Sequence, residues 1–303
     1  MIRHATALAL LLAAPAAAQD QDFSKVEIKT QVLAPGIAVL FGAGGNIGVS
    51  AGPDGTILVD DQFAPLTPKI LAAVDKLGSP PVRFLLNTHW HGDHSGGNAN
   101  LGKSGTVIVA QDNVRARMST DQPSRLFKST TPAAPRTALP VITFANGLTV
   151  HLNNDTITVI HTPAAHTDGD ALVKFTRANV LHAGDVFVRY GGLPFIDTES
   201  GGSARGMVAA VDTALKLTDA NTRIIPGHGE VATRADLQAY RAMLATIIAA
   251  VDAGIKAGQP LAAIQASKPA AKWDTDPKAF ISGDAFVATV YNSLKASPPP
   301  RGK

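Results

Sequence analysis

A dense cluster of metal-binding side-chain types between residues 87 and 98 constrains the fold of this chain more than any other feature. The segment reads Asn87-Thr88-His89-Trp90-His91-Gly92-Asp93-His94-Ser95-Gly96-Gly97-Asn98. Three histidines and one aspartate fall within positions 89–94, although the whole chain holds only nine histidines. A fold that buries part of this segment must give these polar groups a common partner.

The spacing of the cluster predicts two adjacent metal positions. Side chains alternate between faces in an extended segment, so His89 and His91 project the same way and can bind one ion. Gly92 permits a sharp turn that directs Asp93 and His94 towards a second position. Imidazole and carboxylate donors without thiolate favour zinc, with iron or manganese as alternatives. A polar loop without an ion is the other interpretation, but crowded histidines would repel one another on protonation.

The cluster also follows a short apolar run, residues 82–87, that is typical of a buried strand. Sheets in α/β proteins bind ligands beyond the carboxyl ends of their strands. This position favours a functional site.

The pattern His-x-His-x-Asp-His after a buried strand resembles the signature of the metallo-β-lactamase superfamily. The resemblance implies His166 as a third ligand beside His89 and His91, Asp185 as a bridging carboxylate, and His228 as a partner of Asp93 and His94. Three later segments carry these residues in the family's order: Pro163-Ala164-Ala165-His166-Thr167-Asp168-Gly169-Asp170, Leu181-His182-Ala183-Gly184-Asp185 and Ile225-Pro226-Gly227-His228-Gly229.

The resemblance further implies an α/β fold, a four-layer αβ/βα metallo-β-lactamase sandwich over roughly residues 27–250. We expect extra C-terminal helices at 260–266 and 277–294. The predicted domains are a signal peptide at 1–18, the metallo-β-lactamase-fold domain at 19–257, and a C-terminal helical extension and tail at 258–303.

The first 18 residues have the pattern of a secretory signal peptide. Arg3 and His4 precede a run of Ala, Thr, Leu and Pro, and Ala16-Ala17-Ala18 before Gln19 fits a cleavage site. A membrane anchor is the alternative, but the apolar run is shorter than the ~18 to 20 residues that span a bilayer. We therefore expect a periplasmic or secreted protein with no membrane span after signal removal.

Composition agrees with a soluble enzyme that acts on a small molecule. The chain contains no cysteine, which excludes disulfides and thiolate ligands. The net charge is only +3, and no long basic run occurs, so nucleic acid is not an expected partner. No sequence feature indicates an oligomeric state.

Two further regions have open interpretations. Asp60 and Asp61 end an apolar strand, where the resemblance places an acid that supports the ligand loop; simple solvation of a loop is the alternative. Residues 119–140 are rich in Pro, Ser and Thr without clear periodicity, which is typical of a lid, a binding loop or a mobile segment. Within it, Leu126 and Phe127 form a bulky apolar pair that we expect on the substrate side rather than in the core.

The inferred chemistry is hydrolysis by two zinc ions. A bridging hydroxide would attack a carbonyl carbon, because metal binding lowers the pKa of water from ~15.7 to about 7. We expect Asp93 to orient this nucleophile as the catalytic residue and Asp185 to hold both ions.

The substrate contacts are predicted from the segment after Asp185. The family's cysteine-containing β-lactamases have Cys where Asp185 stands and Lys three residues later, where this chain has Val188. We therefore expect Arg189 or Tyr190 to bind a substrate carboxylate; a plain surface arginine is the alternative.

The expected function is an exported di-zinc hydrolase of a β-lactam-like amide or cyclic ester, with β-lactamase activity included. The enzymatic alternatives are a general lactonase or esterase, or a thioesterase similar to glyoxalase II, against which export argues. A different class of function is a metal-binding accessory protein or a di-iron redox protein; the flavodoxin-like domain usual in the latter has no room in this chain.

The signal peptide prediction has a direct test. The exported protein should begin near Gln19, because the small residues before it fit the cleavage site. Intact-mass analysis of the exported protein checks this, and retention of Met1 would contradict it.

Overall fold

The computed structural model describes residues 22–78 and 81–296. The predicted signal peptide at 1–18 and the tail from 297 lie outside these residues. The strands are β1 (Lys29–Ala34), β2 (Ile37–Phe41), β3 (Ile47–Gly52), β4 (Gly55–Val59), β5 (Val82–Leu86), β6 (Val107–Gln111), β7 (Gln122–Ser124), β8 (Ser129–Thr131), β9 (Ile142–Phe144), β10 (Gly147–Leu152), β11 (Asp155–His161), β12 (Ala171–Phe175), β13 (Val180–His182) and β14 (Arg223–Ile225). The α-helices are α1 (Thr67–Asp75), α2 (Gly92–Ser95), α3 (Asn98–Lys103), α4 (Asp112–Met118), α5 (Ala204–Lys216), α6 (Arg234–Lys256), α7 (Leu261–Ala266) and α8 (Gly283–Lys295).

The first sheet has seven strands in the order β1-β2-β3-β4-β5-β6-β9. Strands β1 to β4 form an antiparallel meander, whereas β4, β5, β6 and β9 run parallel. Every residue of β4 is buried, since both faces of the sheet are covered. Ile57 and Val59 pack towards the second sheet, and Leu58 packs on the side of helix α1.

The second sheet has five strands in the order β10-β11-β12-β13-β14. The first four are antiparallel, and β14 pairs parallel to β13. Strands β10 and β11 form a hairpin. Its two-residue turn, Asn153-Asn154, has both residues in the left-handed region, which asparagine tolerates better than most side chains.

The two sheets face each other across an apolar core and carry helices on their outer sides. The core between the sheets includes Val39, Leu86, Val159 and Phe175. Helices α1 and α3 cover the first sheet, and α5, α6, α7 and α8 cover the second. The fold is therefore a four-layer αβ/βα sandwich with additional C-terminal helices, as predicted.

The C-terminal helices belong to the outer helical layer. Ile264 of α7 and Phe286, Val287 and Val290 of α8 are buried in the same apolar cluster as the core of α5 and α6. Helix α8 begins at Gly283 rather than at the predicted 277, because Ser282 caps it by accepting a hydrogen bond from the backbone N–H of Ala285.

Other differences from prediction concern short elements. The sequence did not predict β1, β9, α2 or α3, and the segment 119–140 contains the hairpin β7–β8. Elements of three to six residues carry too few side chains to show a period of 2 or 3.6. Strand β9 in addition pairs with β6, which lies about 30 residues earlier in the chain.

Four strand ends meet at one edge of the sandwich. Strands β4 and β5 are parallel neighbours in the first sheet, and β13 and β14 in the second. The backbone N–H of Ala171, which begins β12, donates to the carbonyl of Thr88, just beyond β5, and joins the sheets at this edge.

Within the described residues, no helix combines the length and the apolar character needed to cross a membrane.

A pair of phenylalanine variants tests whether α8 is integral to the fold. Phe286 is fully buried, whereas Phe280 is 59% exposed. Phe286→Ala should lower the free energy of unfolding by about 3–5 kcal/mol through lost burial and cavity formation. Phe280→Ala should change it by less than about 1 kcal/mol. Urea denaturation monitored by circular dichroism measures both, and equal midpoints for the two variants would contradict the packing of α8.

Candidate metal centre

The polar edge of the sandwich brings together all seven residues that the sequence and the family resemblance selected. His89 and His91 follow β5, and the short helix α2 carries Asp93 and His94. His166 lies in the loop between β11 and β12. Asp185 follows β13 in a single helical turn, and His228 follows β14.

The seven side chains form two clusters that share one carboxylate. The donor atoms of His89, His91 and His166 lie within 4.8 Å of one another, as do those of Asp93, His94 and His228. Asp185 lies between the clusters. Its Oδ1 is 3.2 Å from His94 Nε2, and its Oδ2 is 3.7 Å from His166 Nε2 and 3.5 Å from His228 Nε2. A third close group of donor atoms, from His89, His94 and Asp185, connects the two clusters.

Oxygen acceptors outside the cluster determine which nitrogen of each histidine carries the proton. His91 Nε2 lies 2.9 Å from Asp197 Oδ2, and His166 Nδ1 lies 2.8 Å from the carbonyl oxygen of Phe195. Because both oxygens can only accept from these rings, each histidine donates through its outer nitrogen. The inner nitrogens, His91 Nδ1 and His166 Nε2, face each other at 2.9 Å.

The other two buried histidines follow the same rule. His94 Nδ1 donates to Asp60 Oδ2 at 2.8 Å, which leaves Nε2 directed inwards. Thr88 Oγ1 donates to the same carboxylate and therefore accepts from His89 Nδ1 at 3.0 Å. His89 Nε2 is buried and has no hydrogen-bond partner among the described residues. Converging lone pairs of this kind are satisfied by a cation.

The protonation equilibria show that the site attracts positive charge. Burial lowers the pKa of His89 well below its ordinary value and that of His166 to about 4, so both rings are neutral ligands. Burial opposes the charge on His228, but Asp185 and Asp93 outweigh it and raise the pKa to about 9. For Asp93, burial is likewise outweighed by His94 and His228, and the pKa falls to about 2. The carboxylates are thus ionised at neutral pH and stabilise a cation beside them.

The cluster forms the floor of a cavity of about 1050 Å³. His91, Asp93, Asp185 and His228 reach into it, whereas His89 and His94 are almost fully buried beneath. The hairpin β7–β8 contributes one wall, so the segment 119–140 lies at the binding cavity.

Comparison with known proteins identifies the family. The family model described as the metallo-beta-lactamase superfamily matches residues 41–228, which contain all seven cluster residues. The chain belongs to the metallo-β-lactamase superfamily. Comparison with curated proteins returns no match.

Solved metallo-β-lactamases share the fold at low sequence identity. A metallo-beta-lactamase from Pontibacter korlensis is 15% identical with a TM-score of 0.59, covering 72% of this chain and 99% of that one. The DIM-1 metallo-beta-lactamase is 18% identical with a TM-score of 0.59, covering 73% and 99%. The FIM-1 enzyme from Pseudomonas aeruginosa is 21% identical with a TM-score of 0.57, covering 73% and 95%.

The two predicted substrate contacts of this superfamily member lie in different places. Tyr190 lines the cavity, with its ring centroid 5.7 Å from that of His228, and its hydroxyl is 3.4 Å from the Leu193 carbonyl oxygen. Arg189 does not line the cavity in the described structure. Its guanidinium donates to the carbonyl oxygens of Glu230 and Val231 and faces Asp236 at 3.6 Å. The structure therefore gives no support to Arg189 as a substrate contact.

The open question about the two strand-end aspartates has an answer. Asp60 is fully buried and accepts hydrogen bonds from the backbone N–H and the hydroxyl of Thr88, as well as from His94. Asp61 is equally buried and accepts from the backbone N–H of Gly97. Both support the ligand loop, and simple solvation is wrong for both.

Sequence reasoning missed Asp197 and Thr88 as supports of the ligands. Thr88 directly precedes the first histidine, and its hydroxyl was a signal for a contact with a neighbouring ligand ring. Asp197 had no such signal, because it lies 106 positions after His91 and only the fold brings the two together.

Asp60 offers a test of ligand support in this superfamily member. Asp60→Asn replaces an acceptor of the His94 N–H, so zinc affinity should fall by about 10- to 100-fold. Asp61→Asn is the matched control, since the Asp61 side chain is buried beside it and accepts from the backbone N–H of Gly97 rather than from a histidine ring. Competition with a chromophoric chelator measures both dissociation constants. Equal affinities for the two variants would contradict the role of Asp60.

Proposed function

We propose that this protein is an exported zinc-dependent hydrolase that cleaves the carbonyl bond of a β-lactam-like amide or a cyclic ester. The observation that carries the proposal is the convergence of histidine nitrogens and carboxylates on the floor of an open cavity. Membership of the superfamily supports it. The pattern of residues 1–18 supports export to the periplasm or the medium.

The donor set suits two zinc ions. Imidazole and carboxylate groups without a thiolate are zinc ligands, and the chain contains no cysteine. His89, His91 and His166 would hold one ion, Asp93, His94 and His228 would hold the other, and Asp185 would be shared. The FIM-1 enzyme was crystallised in a mono-zinc form, which supports zinc over iron or manganese. Zinc, when bound, lowers the pKa of a water molecule to about 7 and polarises a carbonyl oxygen.

The residues around this centre have defined tasks. Asp93 is ionised and its side chain is 30% exposed at the cavity, so we assign to it the orientation of the attacking water and acceptance of a proton. The outer N–H groups of His91, His94 and His166 are held by oxygen acceptors, which keeps the inner nitrogens of His91 and His166 aimed at the first ion position and that of His94 aimed at the second. Preorganised groups of this kind need no rearrangement during reaction.

The size of the cavity supports a small-molecule substrate rather than nucleic acid, since pockets of about 300–1,000 Å³ are typical for small ligands. The similar solved structures are metallo-beta-lactamases, and DIM-1 was also crystallised after exposure to ceftazidime, which supports β-lactams. A cyclic ester presents the same type of carbonyl to the same centre.

Metal content and turnover test the proposal together. The full protein should contain two zinc ions per chain and should hydrolyse a member of a panel of penicillins, carbapenems, lactones and thioesters. His91→Ala should lower kcat/KM by a larger factor than the loss of a supporting residue, which typically costs about 10- to 100-fold. His151→Ala is the matched control, because His151 is exposed and outside both clusters. Metal content is measured by mass spectrometry.

Two outcomes would contradict the hydrolase. Two redox-active irons per chain would favour a redox protein instead. The absence of turnover across the panel by zinc-loaded protein would leave only the fold.

A further inference from the structure

Three phenylalanine rings from distant segments form an apolar wall on the cavity. Phe127 lies between β7 and β8, Phe195 follows the Asp185 turn, and Phe280 precedes α8. Their ring centroids are 6.1 Å apart for Phe127 and Phe195, 6.2 Å for Phe127 and Phe280, and 6.0 Å for Phe195 and Phe280. All three line the cavity. We call these three residues the phenylalanine wall.

The wall begins at the metal centre and extends outwards. The Phe195 ring stacks on His91 at 6.0 Å between centroids and meets the edge of His166 at 5.7 Å. A substituent attached close to a carbonyl over the cluster would therefore contact Phe195 first and the outer two rings next.

Contacts among the three rings do not bury the outer two, Phe127 and Phe280. Phe127 is 54% exposed and Phe280 is 59% exposed, although each contacts both other rings. A ligand that covers exposed apolar surface at a cavity binds more favourably, because that surface is removed from water. The neighbouring Leu126 is similarly exposed at 56% but does not line the cavity.

Among the described residues, the cavity also offers no unpaired lysine or arginine that could bind an anionic substituent. Among the described residues that line it, Arg125 is the only lysine or arginine. Glu199 lines the same cavity and neutralises the charge of Arg125. Arg125 Nε lies 2.5 Å from Glu199 Oε1, and the Arg125 backbone N–H donates to Glu199 Oε2 at 2.9 Å. Arg189 is engaged near Asp236 instead.

We propose that the substrate is an uncharged lactone or ester whose aromatic or alkyl substituent packs on the phenylalanine wall while its carbonyl lies over the His and Asp cluster. This inference rests on the proposed hydrolase function and narrows its substrate class. Phe127 and Phe280 are specificity residues, and the Arg125–Glu199 pair makes the cavity rim neutral. A β-lactam with a free carboxylate fits this rim less well than its neutral ester.

The first experiment compares two lactones on the zinc-loaded full protein. γ-Butyrolactone and γ-decalactone share one ring and differ by a hexyl chain. kcat/KM should be at least about 10-fold higher for γ-decalactone, because each fully buried methylene contributes about fourfold. Phe127→Ala and Phe280→Ala should each reduce this preference by about 3-fold or more through a higher KM for γ-decalactone. Leu126→Ala should retain the preference of the wild type.

A wild type without a preference for γ-decalactone would overturn the wall as a substrate contact. Equal preferences in the Phe127→Ala, Phe280→Ala and Leu126→Ala variants would also overturn it.

The second experiment tests the neutral rim with benzylpenicillin and its methyl ester, each as a substrate or as a competitive inhibitor of γ-decalactone hydrolysis. The ester should be preferred by the wild type. Glu199→Gln frees Arg125 and should shift the ratio towards benzylpenicillin by about 2- to 5-fold, the range for an exposed ion pair. Glu230→Gln, at an exposed glutamate that does not line the cavity, should leave the ratio unchanged. A wild-type preference for the free acid would overturn the proposal.

Binding separates failure of this inference from failure of the hydrolase. The γ-lactam counterparts of the two lactones resist hydrolysis, and calorimetry measures their dissociation constants. The hexyl lactam should bind more tightly than the unsubstituted lactam, and Phe280→Ala should abolish this difference. This result would support the phenylalanine wall even if no lactone were turned over, and only the proposed hydrolase function would then be contradicted. Turnover of both lactones without a hexyl preference in turnover or binding would overturn the wall and leave the hydrolase in place.

Discussion

The site depends on the orientation of imidazole rings by hydrogen bonds at their outer nitrogens. Asp60, Thr88, Asp197 and the Phe195 carbonyl each accept from one histidine ring, so the inner nitrogens of the four rings are directed into the site. The neutral His89 and His166 rings therefore direct lone pairs into the site, and His89 Nε2 has no hydrogen-bond partner among the described residues, a group that a bound cation would satisfy. The folding free energy of the surrounding sandwich must therefore stabilise this arrangement until an ion binds.

The two sheets make that arrangement possible. Parallel pairs β4–β5 and β13–β14 end at one edge, and each end carries a polar residue that neither sheet could bury alone. Asp60 belongs to the first sheet and holds His94, while Asp185 from the second sheet approaches His94 from the other side. Packing of the sheets thus sets the separation of the two ligand clusters.

The cavity above this floor has a different origin. Its walls come from the β7–β8 hairpin and from the segment before α8, which lies beyond the region matched by the family model. The floor follows the superfamily's motifs, whereas Phe280 belongs to a wall segment outside the matched region. Substrate choice is therefore to be sought in Phe127, Phe280 and the Arg125–Glu199 pair rather than in the metal ligands.

The sequence, with the family resemblance that it carries, determined the seven clustered side chains and the layer architecture. The spacing of His89, His91, Asp93 and His94 is local, and alternation in strands such as β10 and β11 is visible because it depends only on neighbouring residues. The tertiary structure alone decided the Asp197 contact with His91, the position of Arg189 away from the cavity and the meeting of Phe127 with Phe280. These depend on distances between side chains that are remote in the chain, and packing of whole layers sets such distances, which no local periodicity encodes.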